Sequence, residues 1–299
     1  MNVLTTNGIT KHYKSVTALE NVSITVPAGS VYGILGPNGS GKTTLLGIVT
    51  GVIEATAGTY RLLDGTRPRH ETRRETGTLL ETANFYPYLS ARQNLEVVAA
   101  IKRRDPAAIP RVLRQVDLID RQHDKFRTFS LGMKQRLAIA AALLASPRVV
   151  ILDEPTNGLD PEGISATRQL IRQMAAGGAT VILASHLLDE VEKVCTRVAI
   201  LRKGVLLAEG EMREVLARHD GTMTVEAAGG DAARLASVLR EMNGVDGVEV
   251  TGDGVTIACR RGEVTAADVN RFCIERGIVL ERLVTREKKL ESTFLELTR

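Results

Sequence analysis

Long apolar runs are missing from this sequence. The strand-length runs at residues 149–152 and 180–184, like every other apolar run in the chain, fall far short of the roughly 20 residues needed to cross a bilayer, so no membrane span is expected. The opening MNVLTTNGITKHYK has none of the apolar core, about 7–15 residues long, of a secretory signal, and the chain is expected to stay in the cytoplasm. Cysteine is scarce as well. Cys195, Cys259 and Cys273 are odd in number and lack metal-ligand spacing, which argues against a disulfide framework and suits a reducing compartment. The net charge of +4 comes from scattered basic residues, without the cluster that marks a nucleic-acid face, and no nucleic acid is expected as a partner. Repeats and low-complexity segments are absent too. What remains is an ordinary globular composition, 43% apolar and 25% charged over 299 residues, long enough for a main domain with a smaller appendage.

The pattern along the chain changes twice. Val22, Ile24 and Val26 alternate as in a strand, Pro27-Ala28-Gly29 turns, and residues 31–35 read as a buried strand. A glycine-rich turn over residues 36–41 follows, then helical spacing over residues 42–52. From about residue 82 to residue 147 the character is helical, with helices expected over residues 91–103, 106–116 and 133–145, the second opened by Pro106. Residues 149–152 and 180–184 are strand-length apolar runs, separated by a helix that Pro161 opens and Gly177-Gly178 closes. Strands alternating with helices imply a parallel sheet. Beyond residue 210 short elements alternate: strands near 223–226, 248–251, 255–259 and 278–284, helices over 232–242 and 266–276, and a last helix near 290–297. Their order is that of a βαββαβ, ferredoxin-like unit. The expected domains are residues 1–210, with a helical subdomain at about 82–147, and residues 211–299.

Three local features carry chemistry. GPNGSGKT, the residues Gly36, Pro37, Asn38, Gly39, Ser40, Gly41, Lys42 and Thr43, followed by Thr44, lets backbone N–H groups line up on phosphate oxygens at a helix N-terminus. The ligand expected is a nucleoside triphosphate, with Lys42 neutralising the β- and γ-phosphates and the Thr43 hydroxyl in a Mg²⁺ shell. In VVILDEP, Asp153 and Glu154 end a buried strand, where such sheets collect ligand groups. Asp153 is placed to hold Mg²⁺ and Glu154 to position or deprotonate the attacking water. In FSLGMKQR, Ser130 precedes a helix and is a natural cap, leaving its hydroxyl and the first free N–H groups toward an anion.

In this order, with LASH ending at His186, the motifs resemble the ABC ATPase family over about residues 1–210. The resemblance implies an α/β fold: a P-loop NTPase core with a mixed sheet and an inserted helical subdomain, joined here to the small α+β C-terminal domain. It implies ATP with Mg²⁺, hydrolysed to drive a transporter. It also implies a homodimer in the ATP-bound state, a separate transmembrane permease, and a position on the inner face of the cell membrane through that permease. Ser130 and Gly132 match the family signature, which faces the γ-phosphate on the opposite subunit, whereas Leu131 and Met133 depart from its common LSGGQ form. His186 matches the histidine that contacts the γ-phosphate and holds the water of Glu154.

Asp160, in the sequence Asn157-Gly158-Leu159-Asp160, matches the loop that touches the neighbouring subunit, and is equally a cap for the helix at Pro161. Tyr13 stands where the family stacks an aromatic ring on adenine, with a core tyrosine as the competing reading. Where the family has glutamine between core and helical lobe, this chain has Glu81. A carboxylate there still binds metal or orients water, but it adds negative charge beside a triphosphate. With FYPYLSARQNL, Glu81 makes the chain similar to exporters of the antibiotic-resistance and lantibiotic-immunity kind. ABC ATPases that act on ribosomes or chromosomes are the alternative. They usually carry two ATPase units, a long coiled coil or zinc-binding cysteines, and none of these is visible.

Overall fold

Val22, Ile24 and Val26 are buried while Asn21 and Ser23 are exposed, so the N-terminal strands lay one face on the core. The computed structural model describes residues 1–63, 65, 69–80, 84–218, 222–228, 232–251, 254–260, 264–286, 290 and 294. Strand β1 (Asn2–Tyr13) pairs antiparallel with β2 (Val16–Val22), β3 (Thr25–Pro27) and β5 (Ala57–Leu62). Strand β4 (Val31–Leu35) is buried at all five positions, as a strand covered on both faces must be. Helix α1 (Lys42–Val49) follows it. Its Leu45, Leu46 and Ile48 share one core with Leu19 and Ile24 of the antiparallel sheet region and with Ile151 and Ile182 of the parallel sheet. Each of these fully buried side chains contributes about 1.5–3 kcal/mol relative to exposure.

The second sheet comprises β4, β6 (Thr76–Leu79), β7 (Val149–Asp153), β8 (Thr180–Ser185), β9 (Arg197–Arg202) and β10 (Val205–Glu211), in the order β10-β9-β4-β8-β7-β6. It is parallel except for β10, which returns along β9 through the turn at Lys203-Gly204. Helix α2 (Arg69–Glu75) leads into β6, α6 (Pro161–Ala176) connects β7 to β8, and α7 (Leu188–Val194) connects β8 to β9.

The helical lobe holds α3 (Ala91–Lys102), α4 (Ile109–Gln115) and α5 (Leu131–Leu143). Ser90 and Gln93 form a capping box at the start of α3. The single helix expected over residues 106–116 is instead a 3₁₀ turn, Pro106–Ala108, leading into α4. Pro110 has no N–H for the Pro106 carbonyl, which accepts from Ile109 instead and tightens the first turn. Helix α5 begins two residues before the expected 133, because Ser130 caps it from outside.

Compact units span Met1–Met212 and Arg213–Arg299, with α8 (Met212–Arg218) crossing the boundary. The second unit holds β11 (Thr222–Ala228), α9 (Ala232–Arg240), β12 (Val245–Thr251), β13 (Gly254–Arg260), α10 (Ala266–Glu275) and β14 (Arg282–Arg286). Its antiparallel sheet runs β12-β13-β11-β14, the connectivity of a split βαβ unit. Leu235, Leu239, Ile257, Cys259, Val269 and Cys273 fill its core. The strand expected from residue 278 starts at Arg282. Ile278 closes α10 instead: Gly277 takes φ +71°, and Ile278 N–H donates to the Cys273 carbonyl at 2.9 Å, the hydrophobic closure of a glycine-ended helix. Of the last helix expected near 290–297, only Leu290 and Phe294 are among the described residues. No helix among them is long and apolar enough to cross a membrane.

Candidate functional site

Strand β8 lies between β4 and β7, so the carboxyl ends of three neighbouring parallel strands carry the glycine loop, the Asp153-Glu154 pair and His186. The loop leaves β4 at Gly36, where a Cβ would stand 2.3 Å from the Leu201 carbonyl oxygen and from Ser40 Oγ. At Gly41, φ is +102° and a Cβ would meet the Ala18 carbonyl oxygen at 2.5 Å. Only glycine satisfies both the turn and the close approach. Helix α1 then starts without a side-chain cap, leaving its first N–H groups for an anion. Pro37, Asn38, Gly39 and Thr43 are exposed, Thr44 is half-buried, and the buried Ser40 Oγ has no hydrogen-bond partner among the described residues. This cradle fits a phosphate chain. The Thr43 hydroxyl and the buried Asp153 carboxylate at the end of β7 are oxygen donors of the kind a Mg²⁺ ion takes.

Lys42 is folded into its own loop, donating to the carbonyl oxygens of Gly36 at 2.8 Å and Pro37 at 3.2 Å. Its ammonium also lies 3.3 Å from Glu154 Oε1. The other carboxylate oxygen of Glu154 is 2.9 Å from His186 Nδ1 and accepts from the His186 N–H at 3.4 Å. Glu154 itself has φ +47°, a left-handed conformation uncommon for a residue with a Cβ, and its N–H is bonded to the Ala184 carbonyl of β8 at 2.9 Å. A carboxylate is thus held between an ammonium and an imidazole at the mouth of the cradle.

Ser130 and Asp160 belong to a neighbouring surface. The Ser130 hydroxyl accepts from the Met133 N–H at 3.3 Å, and Asp160 accepts from the Gly163 N–H at 2.9 Å, so both cap the helices that follow them. The two turns lie side by side: a Cβ at Gly158 would be 3.0 Å from Leu131 Cδ2, and one at Gly132 would be 3.9 Å from Leu159 Cδ2. Among the described residues neither capping side chain is bonded to Lys42, Glu154 or His186. Tyr13 ends β1 with 43% of its surface exposed and the Lys11 ammonium 4.8 Å from its ring centre; it is not a core tyrosine. Glu81 lies outside the described residues.

One supporting residue escaped the sequence reading. Gly204, at φ +82° in the β9–β10 turn, donates to the Ser40 carbonyl at 3.1 Å and accepts from Glu20 N–H at 2.9 Å, clamping the phosphate loop to β2. A Lys-Gly pair between alternating apolar residues is a hairpin signal, but what the turn touches is not local.

A triphosphate cradle, two strand-end carboxylates and a strand-end histidine on this sheet define a P-loop nucleoside triphosphatase. Residues 19–157 match the model of the ABC transporter family. The bacitracin transport ATP-binding protein BcrA of Enterococcus faecalis is 32% identical over 300 residues, covering 99% of this chain and 96% of its own. The lantibiotic transport ATP-binding protein SrtF of Streptococcus pyogenes is 36% identical over 224 residues, covering 75% of this chain and 94% of its own. Among solved structures, a dimeric ATP-binding cassette in a post-hydrolysis state with ADP and Pi superposes with a TM-score of 0.64 at 26% identity, covering 70% of this chain and 99% of that one. The chain belongs to the ABC transporter ATP-binding proteins, and is the ATP-hydrolysing subunit of such a transporter.

Proposed function

We propose that two copies of this chain pair head to tail on ATP and drive a separate membrane permease from the inner face of the membrane, with export as the direction. The resemblance to proteins named for bacitracin and lantibiotic transport supports that direction. The reading rests on one observation, the grip of Lys42 and His186 on the two oxygens of Glu154. Triphosphate oxygens are stronger partners for an ammonium than two neutral carbonyls and one shared carboxylate. ATP binding therefore draws Lys42 from Glu154 and leaves Oε1 to take a proton from the attacking water, while His186 holds Oε2 in place. Mg²⁺, held through Thr43, Asp153 and, as a further candidate, Glu81, supplies charge neutralisation on the phosphates. Ser130 and Gly132, at the exposed start of α5, complete the partner's site, with Asp160 beside them. Tyr13 offers its exposed ring to the adenine.

Replacing Glu154 with Gln keeps the shape and removes the base. Hydrolysis should fall by about 10²-fold or more, while gel filtration with ATP shows a persistent dimer. Turnover near that of the parent chain would overturn the assignment.

A further inference from the structure

Tyr86 and Tyr88 are exposed, 49% and 63%, on the loop leading into α3, and this loop is unusually well tied down. Asn94, on the first turn and a half of α3, is 1% exposed. Its Oδ1 accepts from the Tyr86 N–H at 2.8 Å, and its amide donates to the carbonyls of Tyr86 at 3.1 Å, Leu89 at 3.4 Å and Ser90 at 3.0 Å. A neutral side chain so placed acts as a second strand for the loop.

The loop's other edge is bonded to the segment that precedes α5. Phe126 N–H donates to the Leu89 carbonyl at 2.9 Å, and Arg127 N–H to the Pro87 carbonyl at 3.0 Å. Ser90 and Lys125 form a bridge, and Ala91 and Arg92 donate to Asp124 and Gln122. Aromatic rings continue the connection. Phe85 meets Phe126 edge-on with centroids 5.2 Å apart, and Phe126 lies 6.2 Å from Phe129, which is 4% exposed and directly precedes Ser130. From Tyr86 to the cap of α5 there is an unbroken run of ring contacts and backbone bonds, from the half-buried Phe85 to the buried Phe126 and Phe129, joining segments about 40 residues apart in the chain.

We infer that Asn94, Phe126 and Phe129 form a clip that makes the Tyr86–Tyr88 loop and Ser130 move as one body, with Asn94 as its positioning residue. This rests on the reading above, in which Ser130 meets the ATP of the second copy. Because coupling is reciprocal, the clip can be tested from the nucleotide side in the chain alone. ATP-induced ordering at Ser130 must reach the loop, and a load on the loop must reach Ser130.

The experiment is amide hydrogen exchange at single-residue resolution on the Glu154→Gln chain, with and without ATP. The quantity read is the ratio of the two rates at each amide, which divides out any static loosening. ATP should slow exchange at Met133 and Lys134, and by about tenfold at Leu89, Phe126 and Arg127. With Asn94→Ala added, Met133 and Lys134 should keep their ratio while that of Leu89 falls toward one. Asn94→Asp, which keeps the acceptor for Tyr86 N–H and loses the donors, should fall between. Phe126→Leu, which preserves volume better, serves as the second probe if Asn94→Ala does not fold.

No ATP effect at Met133 or Lys134 in the parent would sink the shared-site reading. An effect there without one at Leu89, Phe126 and Arg127, or one that Asn94→Ala leaves unchanged, would overturn the clip alone.

Discussion

Gly204→Ala places the added carbon against backbone that cannot turn aside. It would stand 2.8 Å from the Ala18 carbonyl oxygen, 3.0 Å from the Ala18 carbonyl carbon and 3.1 Å from Leu19 Cα. The left-handed φ of +82° costs an alanine about 1–2 kcal/mol relative to glycine, and overpacking against fixed atoms adds about 1–3 kcal/mol. A loss of about 2–5 kcal/mol follows, which for a unit of this size lowers Tm by roughly 4–20 °C. The displaced turn also loosens the Gly204 N–H from the Ser40 carbonyl, so ATP affinity should fall with stability. Calorimetry on the full chain, following the transition that ATP shifts, separates this unit from the second one. The adjacent Lys203→Asn is the control: Lys203 already sits at φ +49°, asparagine tolerates that region better, and Tm should rise slightly. A Gly204→Ala shift below about 2 °C would refute the claim that this turn buttresses the phosphate loop.

Two further outcomes follow from the titrating groups. The Thr265 hydroxyl and N–H bonded to Asp268, at the start of α10, hold that carboxyl below its usual range. A lowered folded-state value stabilises above the unfolded one and is lost as pH falls through it, so acid unfolding below about pH 4 should lose one proton's worth of dependence in Asp268→Asn. Burial pushes the thiols of Cys195, Cys259 and Cys273 up. Native protein at pH 8 should therefore resist iodoacetamide at all three and react fully in denaturant, and labelling of the folded chain at any of them would contradict their burial.

What could be read locally was read well. Apolar runs at 149–152 and 180–184 became β7 and β8, and Pro161 and Gly177 bound α6, since burial on both faces and helix ends leave short-range marks. Ile278 went astray because its apolar character serves a helix closure rather than a strand, a distinction made by φ at Gly277. The boundary at Pro110 turned on one missing N–H. Asn94 was invisible because a buried amide and an exposed one look the same in sequence, and its partners are loop carbonyls without side-chain signatures.

By itself the sequence determined the phosphate cradle, the carboxylate pair and the order of the motifs, because glycine spacing and strand-end acids act through their immediate backbone. Only the tertiary structure decided which of them meet. Inserting β8 between β4 and β7 brings Lys42 to 3.3 Å from one carboxylate oxygen of Glu154 and His186 to 2.9 Å from the other, and it leaves Ser130 and Asp160 on a surface of their own. Contact between residues more than a hundred positions apart is a property of strand order, which no local pattern encodes.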